Sequence, residues 1–325
     1  MHWDADLLDG YVSTEIALPD ATRMAGEPAD VEVVATLVRR EGPPRSRRAV
    51  LYVHGWNDYF FQTHLAEVWT GLGFDFHALD LRRYGRSLRR GHLPGFTTDL
   101  DEYDRELDAA ADLIAADHDE LVVMGHSTGG LVTSLWAARR PGRVDALVLN
   151  SPWLDLQGSA LVRAVGAPVI DALGARSPTA VLRAADPGHY ARTLHLSLEG
   201  EWDYDLDLKP TPGPPLRVGW LRAIVQGQRR VAGGLDIEAP VLVLASTRTS
   251  FARKWSEDFR GVDTVLDVEQ IAARAVRLGR CVTVVRVPDG LHDLVLSAPP
   301  VRQRVFDEMA RFVRGYVPGP DGGPG

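Results

Sequence analysis

The 325-residue chain is poor in cysteine, in lysine and in long apolar runs. Its one cysteine, Cys281, excludes an intrachain disulfide, and a reducing compartment fits that usage. Only Lys209 and Lys254 are lysines among 36 basic residues, a bias toward arginine that reads as compositional. No apolar run approaches the roughly 20 residues that span a bilayer. The opening Met1-His2-Trp3-Asp4-Ala5-Asp6 has neither the basic nor the apolar part of a secretory signal, so a cytoplasmic protein is expected. Basic charge is in deficit, 36 residues against 44 acidic ones, for a formal net charge of -8. That argues against nucleic acid or a membrane surface as a general partner. There is no Gly-x-Gly-x-x-Gly after a strand, no phosphate-loop Gly-Lys-Ser/Thr and no His-Glu-x-x-His. No nucleotide, metal or organic cofactor is therefore expected.

What is present is an ordinary globular composition, 45% hydrophobic and 25% charged, in a chain long enough for one large core plus an insertion. Short, continuously apolar runs at 49–53, 74–79, 121–124, 146–149, 241–245 and 282–287 predict strands buried on both faces of a parallel sheet. The runs at 12–18 and 31–38 alternate more and predict antiparallel strands at one edge. Helical spacing appears over 98–116, from Thr128 to Pro141-Gly142, from Asp267 as an N-cap to Leu278-Gly279, and along Val301, Val305, Met309 and Phe312. Such alternation predicts a doubly wound α/β sheet. It breaks between about 155 and 238. The expected organisation is therefore a core from 1–154 and 239–317, an inserted, mainly helical cap at 155–238, and a flexible Pro/Gly-rich tail at 318–325.

The strongest chemical signal is Gly125-His126-Ser127-Thr128-Gly129 between the 121–124 strand and a helix. A serine at a sharp strand-to-helix turn needs small neighbours, which Gly125 and Gly129 supply. The turn lifts Oγ above the sheet at a helix N-terminus, where the dipole favours developing negative charge. Ser127 is the expected nucleophile. Its base is expected at His292, in the loop after the last strand; His118, His189 and His195 lack a strand-end position, and His126 reads as packing. The acid should follow the 241–245 strand. Asp263 is favoured, Asp258 and Asp267 compete, and Asp155 stands outside the expected order. The backbone N–H groups of Thr128 and of Trp56, in His54-Gly55-Trp56, are the expected oxyanion donors.

Taken together these residues resemble the α/β-hydrolase superfamily, and within it the monoacylglycerol-lipase and serine-aminopeptidase-like lipases and esterases. The resemblance rests on His54-Gly55 after a strand, on Asp80-Leu81-Arg82-Arg83-Tyr84-Gly85-Arg86-Ser87, and on Gly-His-Ser-x-Gly-Gly at 125–130. It covers most of the chain outside 155–238. It implies an α/β-hydrolase fold, a cap after the sixth core strand and an acid four residues before a helix cap (as Asp263 is). A small, apolar acyl substrate with a carboxylic ester-type bond is expected, though the family spans carboxylic esters, monoglycerides, thioesters and some peptides and membership does not choose among them. Two departures stand out: Arg83 where the family often has Gly, and a long loop from Ser246 to Gly261. The run Arg82, Arg83, Arg86, Arg89 and Arg90 reads as a solvated loop rather than a site for anions. The aromatics Trp56, Tyr59, Phe60 and Phe61 suit a pocket wall or core packing equally. Cys281 reads as a small hydrophobe. Two alternatives to an esterase follow from the same residues. One is a non-catalytic ligand-binding homologue. The other is an aminopeptidase, with Glu199, Glu201, Asp203 and Asp205 as candidates for holding a substrate amine.

Overall fold

The computed structural model describes residues 2–156, 160–182 and 188–317, with the side chains of 160–165 excepted. The 318–325 tail lies outside the described residues. Nine strands form one sheet: β1 (Asp4–Ala5), β2 (Tyr11–Ala17), β3 (Val34–Arg40), β4 (Arg48–Val53), β5 (Asp75–Asp80), β6 (Glu120–His126), β7 (Ala146–Asn150), β8 (Val241–Ser246) and β9 (Val282–Val287). Their order is β1-β2-β3-β5-β4-β6-β7-β8-β9. The pairings β1–β2, β2–β3 and β3–β5 are antiparallel, and those from β5–β4 to β8–β9 are parallel. This is the expected parallel sheet with an antiparallel edge, extended by the two-residue β1. The central strands β4, β6, β7 and β8 are almost wholly buried, as their unbroken apolar runs require.

The described residues form eight helices: α1 (Thr63–Gly71), α2 (Asp104–Ala115), α3 (Thr128–Arg139), α4 (Ala160–Arg176), α5 (His189–Leu194), α6 (Val218–Gly233), α7 (Val268–Ala275) and α8 (Pro299–Tyr316). The helix predicted over 98–116 begins as a 3-10 turn at Leu100–Tyr103 before becoming α2. α7 starts at Asp267 as predicted, its side chain accepting the Glu269 N–H, but ends at Ala275, short of Leu278. Successive strand residues point to opposite faces and build two cores. On one face Leu51, Val123, Leu149 and Val243 pack with α2, α3, α6 and α7. On the other Tyr52, Val122, Met124 and Leu244 pack with α1 and α8.

The insertion between β7 and β8 carries α4, α5 and α6. Trp220 and Ile224 of α6 enter the first core, while Leu194 and Tyr204 enter the second. The inserted chain thus straddles the carboxyl edge of the sheet. Among the described residues no helix is long and apolar enough to cross a membrane.

Three arginines of the run depart from its reading as a solvated loop, while Arg89 is half-buried and Arg90 is exposed. Arg82 and Arg83 are fully buried. Arg82 pairs with Glu106 and Glu102, and Arg83 with Glu27 at 2.7 Å. Arg86 bridges Asp6 at 2.7 Å and Asp80 at 2.9 Å. The guanidinium groups stay charged inside because each meets a carboxylate supplied by a distant part of the chain. Arg83 sits at φ 65°, the left-handed region that explains the glycine common at this place in the resembled family.

Candidate active site

The carboxyl ends of β4, β6, β8 and β9 converge on one edge, where an α/β sheet places its ligand. Ser127 stands between β6 and α3 at φ 52° and ψ -116°. That backbone costs about 1–3 kcal/mol for a non-glycine residue. It is held by Ser127 N–H to the Asn150 carbonyl at 3.0 Å and by Trp153 N–H to the Ser127 carbonyl at 3.0 Å. Close packing explains the flanking glycines. A Cβ on Gly129 would lie 2.2 Å from the His54 carbonyl oxygen, and one on Gly55 would lie 3.0 Å from Ser127 Cβ. The loop after β4 is therefore pressed directly against the nucleophile turn.

His292 follows β9 and is buried. Its Nδ1 lies 2.9 Å from Asp263 Oδ2 and its Nε2 lies 3.0 Å from Ser127 Oγ. With Nδ1–H donating to the carboxylate, Nε2 is left to accept from the serine hydroxyl. Asp263 is fully buried, and its Oδ1 accepts the N–H groups of Val265 at 2.8 Å and Leu266 at 2.7 Å. Of its rivals, Asp258 is exposed in a 3-10 turn, Asp267 caps α7, and Asp155 pairs with Arg274 at 2.8 Å. The long loop after β8 closes on itself and leaves Asp263 beside His292. Asp263 N–H donates to the Arg248 carbonyl at 2.9 Å, and Ser250 N–H donates to the Asp263 carbonyl at 3.0 Å.

Thr128 opens α3, so its N–H has no intrahelical partner. Among the described residues the N–H of Trp56 also meets no backbone carbonyl. His54 fixes the loop between them: its Nδ1–H donates to the Gly55 carbonyl at 2.7 Å, and its Nε2 accepts the Leu81 N–H at 3.0 Å.

Above Ser127 lies a cavity of about 910 Å³. Trp56, Leu194, Phe251 and Val265 give it apolar wall, and Tyr190, Tyr204, Lys209 and His126 give it polar wall. Of the predicted aromatic group only Trp56 lines it; Tyr59, Phe60 and Phe61 are buried in the core below. His126 is packed as expected, its Nδ1 3.1 Å from the Asn150 carbonyl, and burial holds its imidazole below the ordinary histidine range. His189, set aside on sequence grounds, lines the cavity through α5. Tyr190 and Lys209 had no signal in the sequence, since both come from the insertion. The ring of Tyr190 stands edge-on to His292 at 5.4 Å, and burial pushes its phenol well above the usual tyrosine range. Glu199, Glu201, Asp203 and Asp205 do not line the cavity; Glu199 instead pairs with Arg192 and Arg260. Asp58, His126 and Asp293 bring ligand-type atoms within 4.8 Å of one another. All three are already engaged, Asp58 by Lys209 at 2.7 Å, Asp293 by Asn150 at 2.6 Å and His126 by the Asn150 carbonyl at 3.1 Å, so the cluster reads as a buried hydrogen-bonded network. Cys281 lies just before β9, at the opposite edge of the sheet from Ser127.

A family model described as Serine aminopeptidase, S33, matches residues 44–254. A monoacylglycerol lipase of Mycolicibacterium smegmatis is 32% identical over 276 residues, covering 83% of this chain and 89% of that one. Two solved structures share the fold at low identity. A monoacylglycerol lipase of Paleococcus ferrophilus is 18% identical with a TM-score of 0.62, over 88% of this chain and 100% of that one. A monoglyceride lipase of Saccharomyces cerevisiae is 14% identical with a TM-score of 0.63, over 92% and 97%. The chain belongs to the serine aminopeptidase, S33 family, in the lipase- and esterase-like branch of the α/β-hydrolases.

Proposed function

We propose that the protein is a serine hydrolase that cleaves a carboxylic ester with an apolar acyl chain, of the monoacylglycerol type, through an acyl-enzyme. The observation that carries this is the unbroken relay from Ser127 Oγ through His292 to Asp263, at the floor of a largely apolar cavity. Ser127 Oγ attacks the ester carbonyl while His292 Nε2 takes its proton. Asp263 stays ionised, holds the tautomer and stabilises the imidazolium. The N–H groups of Trp56 and Thr128 receive the oxyanion, each donor contributing about 10²–10³ in rate. Collapse expels the alcohol, protonated by His292. Water, deprotonated by the same imidazole, then releases the acid and restores Ser127. In this reading 155–238 is a cap between the two parts of the core, and it supplies the walls that select the acyl group. The similarity to monoacylglycerol lipases supports the substrate class. Glu199, Glu201, Asp203 and Asp205, the candidates for holding a free amine in the peptidase reading, do not line the cavity.

A fluorophosphonate probe is expected to label the wild-type protein and to leave Ser127→Ala unlabelled; equal labelling of both overturns the assignment. Turnover of p-nitrophenyl acyl esters and of a monoacylglycerol, with none of aminoacyl-naphthylamides, is the expected substrate pattern. The reverse pattern identifies a peptidase, and no labelling or turnover at all identifies a binding protein.

A further inference from the structure

Residues 56–59, which bring the second oxyanion donor to Ser127, are gripped one after another by the insertion. The Trp56 ring lies 4.0 Å, centroid to centroid, from Trp220. Asn57 donates its side-chain amide to the Pro210 carbonyl at 2.9 Å. Asp58 accepts from Lys209 Nζ at 2.7 Å. Tyr59 accepts at its hydroxyl the N–H of Asp205 at 2.8 Å. Gly213 closes over Asn57 so tightly that a Cβ there would lie 3.0 Å from the amide nitrogen. Within the gripped loop Asn57 adopts φ 50°, the left-handed region that asparagine tolerates better than most residues.

We infer that the segment from Tyr204 to Gly213 is a strap that sets the oxyanion hole, with Lys209 as its main positioning residue. This rests on the hydrolase reading above. The ammonium of Lys209 is buried and faces Phe61, Tyr190 and Tyr204 at 5.3–5.8 Å from their ring centres. Among the described residues Asp58 gives it its one salt bridge. A buried pair of this kind is directional: neither partner can leave without stranding a charge. It ties a carboxylate two residues after Trp56 to the roof of the cavity. An oxyanion donor only tenths of an ångström out of place loses much of its value, because its worth lies in being already aimed. The insertion then does more than cover the substrate; its strap keeps the Trp56 N–H turned toward Ser127.

The test compares two ligands in wild type and variants. A trifluoromethyl ketone with an apolar tail adds to Ser127 and forms an oxyanion, whereas the matching methyl ketone binds without doing so. In Lys209→Met the proposal expects kcat to fall by about 10–100-fold with KM within about threefold. The trifluoromethyl ketone should weaken by the same factor and the methyl ketone should hold its affinity. Lys209→Arg should recover most of the loss. Tyr59→Phe removes another anchor without altering charge and should give a smaller selective loss of about threefold, separating positioning from a field effect. If Lys209→Met does not fold, Tyr59→Phe decides alone. Equal weakening of both ketones, or no weakening in Tyr59→Phe, overturns the strap. A wild-type protein that forms no adduct with the trifluoromethyl ketone overturns the hydrolase reading instead.

Discussion

Asp263 has both oxygens engaged, Oδ2 toward His292 and Oδ1 toward two backbone N–H groups. An amide at this position has only one acceptor oxygen. If that oxygen keeps the backbone bonds, the amide nitrogen faces His292 and forces the opposite tautomer, which cannot accept from Ser127. Asp263→Asn is therefore expected to lower kcat by about 10⁴-fold while labelling and turnover fall together. Asp258→Asn, altering an exposed side chain, should leave kcat near wild type in the same assay. Asp267→Ala removes a helix cap and should cost about 1 kcal/mol in a urea titration. The sequence favours Asp263 but leaves Asp258 and Asp267 as competitors. Burial and the loop's closure on Arg248 and Ser250 single out Asp263, and both depend on contacts formed only after folding.

Among the elements, the arginine segment after β5 was the least legible. Five arginines between 82 and 90 look like a solvated patch when the chain is read in order. The distant partners of Arg82, Arg83 and Arg86, which are Asp6, Glu27, Glu102 and Glu106, lie before β2, before β3 and around α2. No local pattern links them. Arg83→Gly tests this directly. Glycine suits φ 65°, so the backbone should relax, but Glu27 is left buried and unpaired. The net effect expected in urea unfolding at neutral pH is a loss of about 3–5 kcal/mol, despite the improved backbone. The parallel strands and the nucleophile turn were legible because their signals are local: continuous apolar runs, and glycines around a serine. The structure gives Gln62, at the N-cap of α1, no side-chain capping bond. Tyr190 and Lys209 lie in the insertion, where no period marks a face, so only the fold brings them to the cavity.

Across the whole molecule, burial keeps several groups from taking up protons. His77 is lowered to about 3, first by burial and then by the nearby His118, and burial also lowers His64 and His126. Burial would raise Glu27, but the hydrogen bond from Arg83 and the N–H groups of Met24 and Leu93 bring it down to about 2. In each case the folded chain binds fewer protons than the unfolded one. Stability should therefore fall as pH drops from 6.5 through the histidine window toward 3, with Glu27 adding its share between 4.5 and 2. The thermal midpoint followed from pH 7 to pH 3 checks this, and Glu27→Gln should flatten the most acidic stretch while lowering the midpoint at neutrality. The excursion between Ser250 and Asp263 bears on how such a molecule can change. Its two ends are hydrogen-bonded together at the base, and its outer part reaches the insertion, where Phe259 packs on His189 and Arg260 pairs with Glu199. The position of Asp263 is thereby insulated from the length of the loop that precedes it. Lineages are free to lengthen, shorten or re-sequence that excursion, and so reshape the substrate-facing wall, without retuning the histidine beneath it.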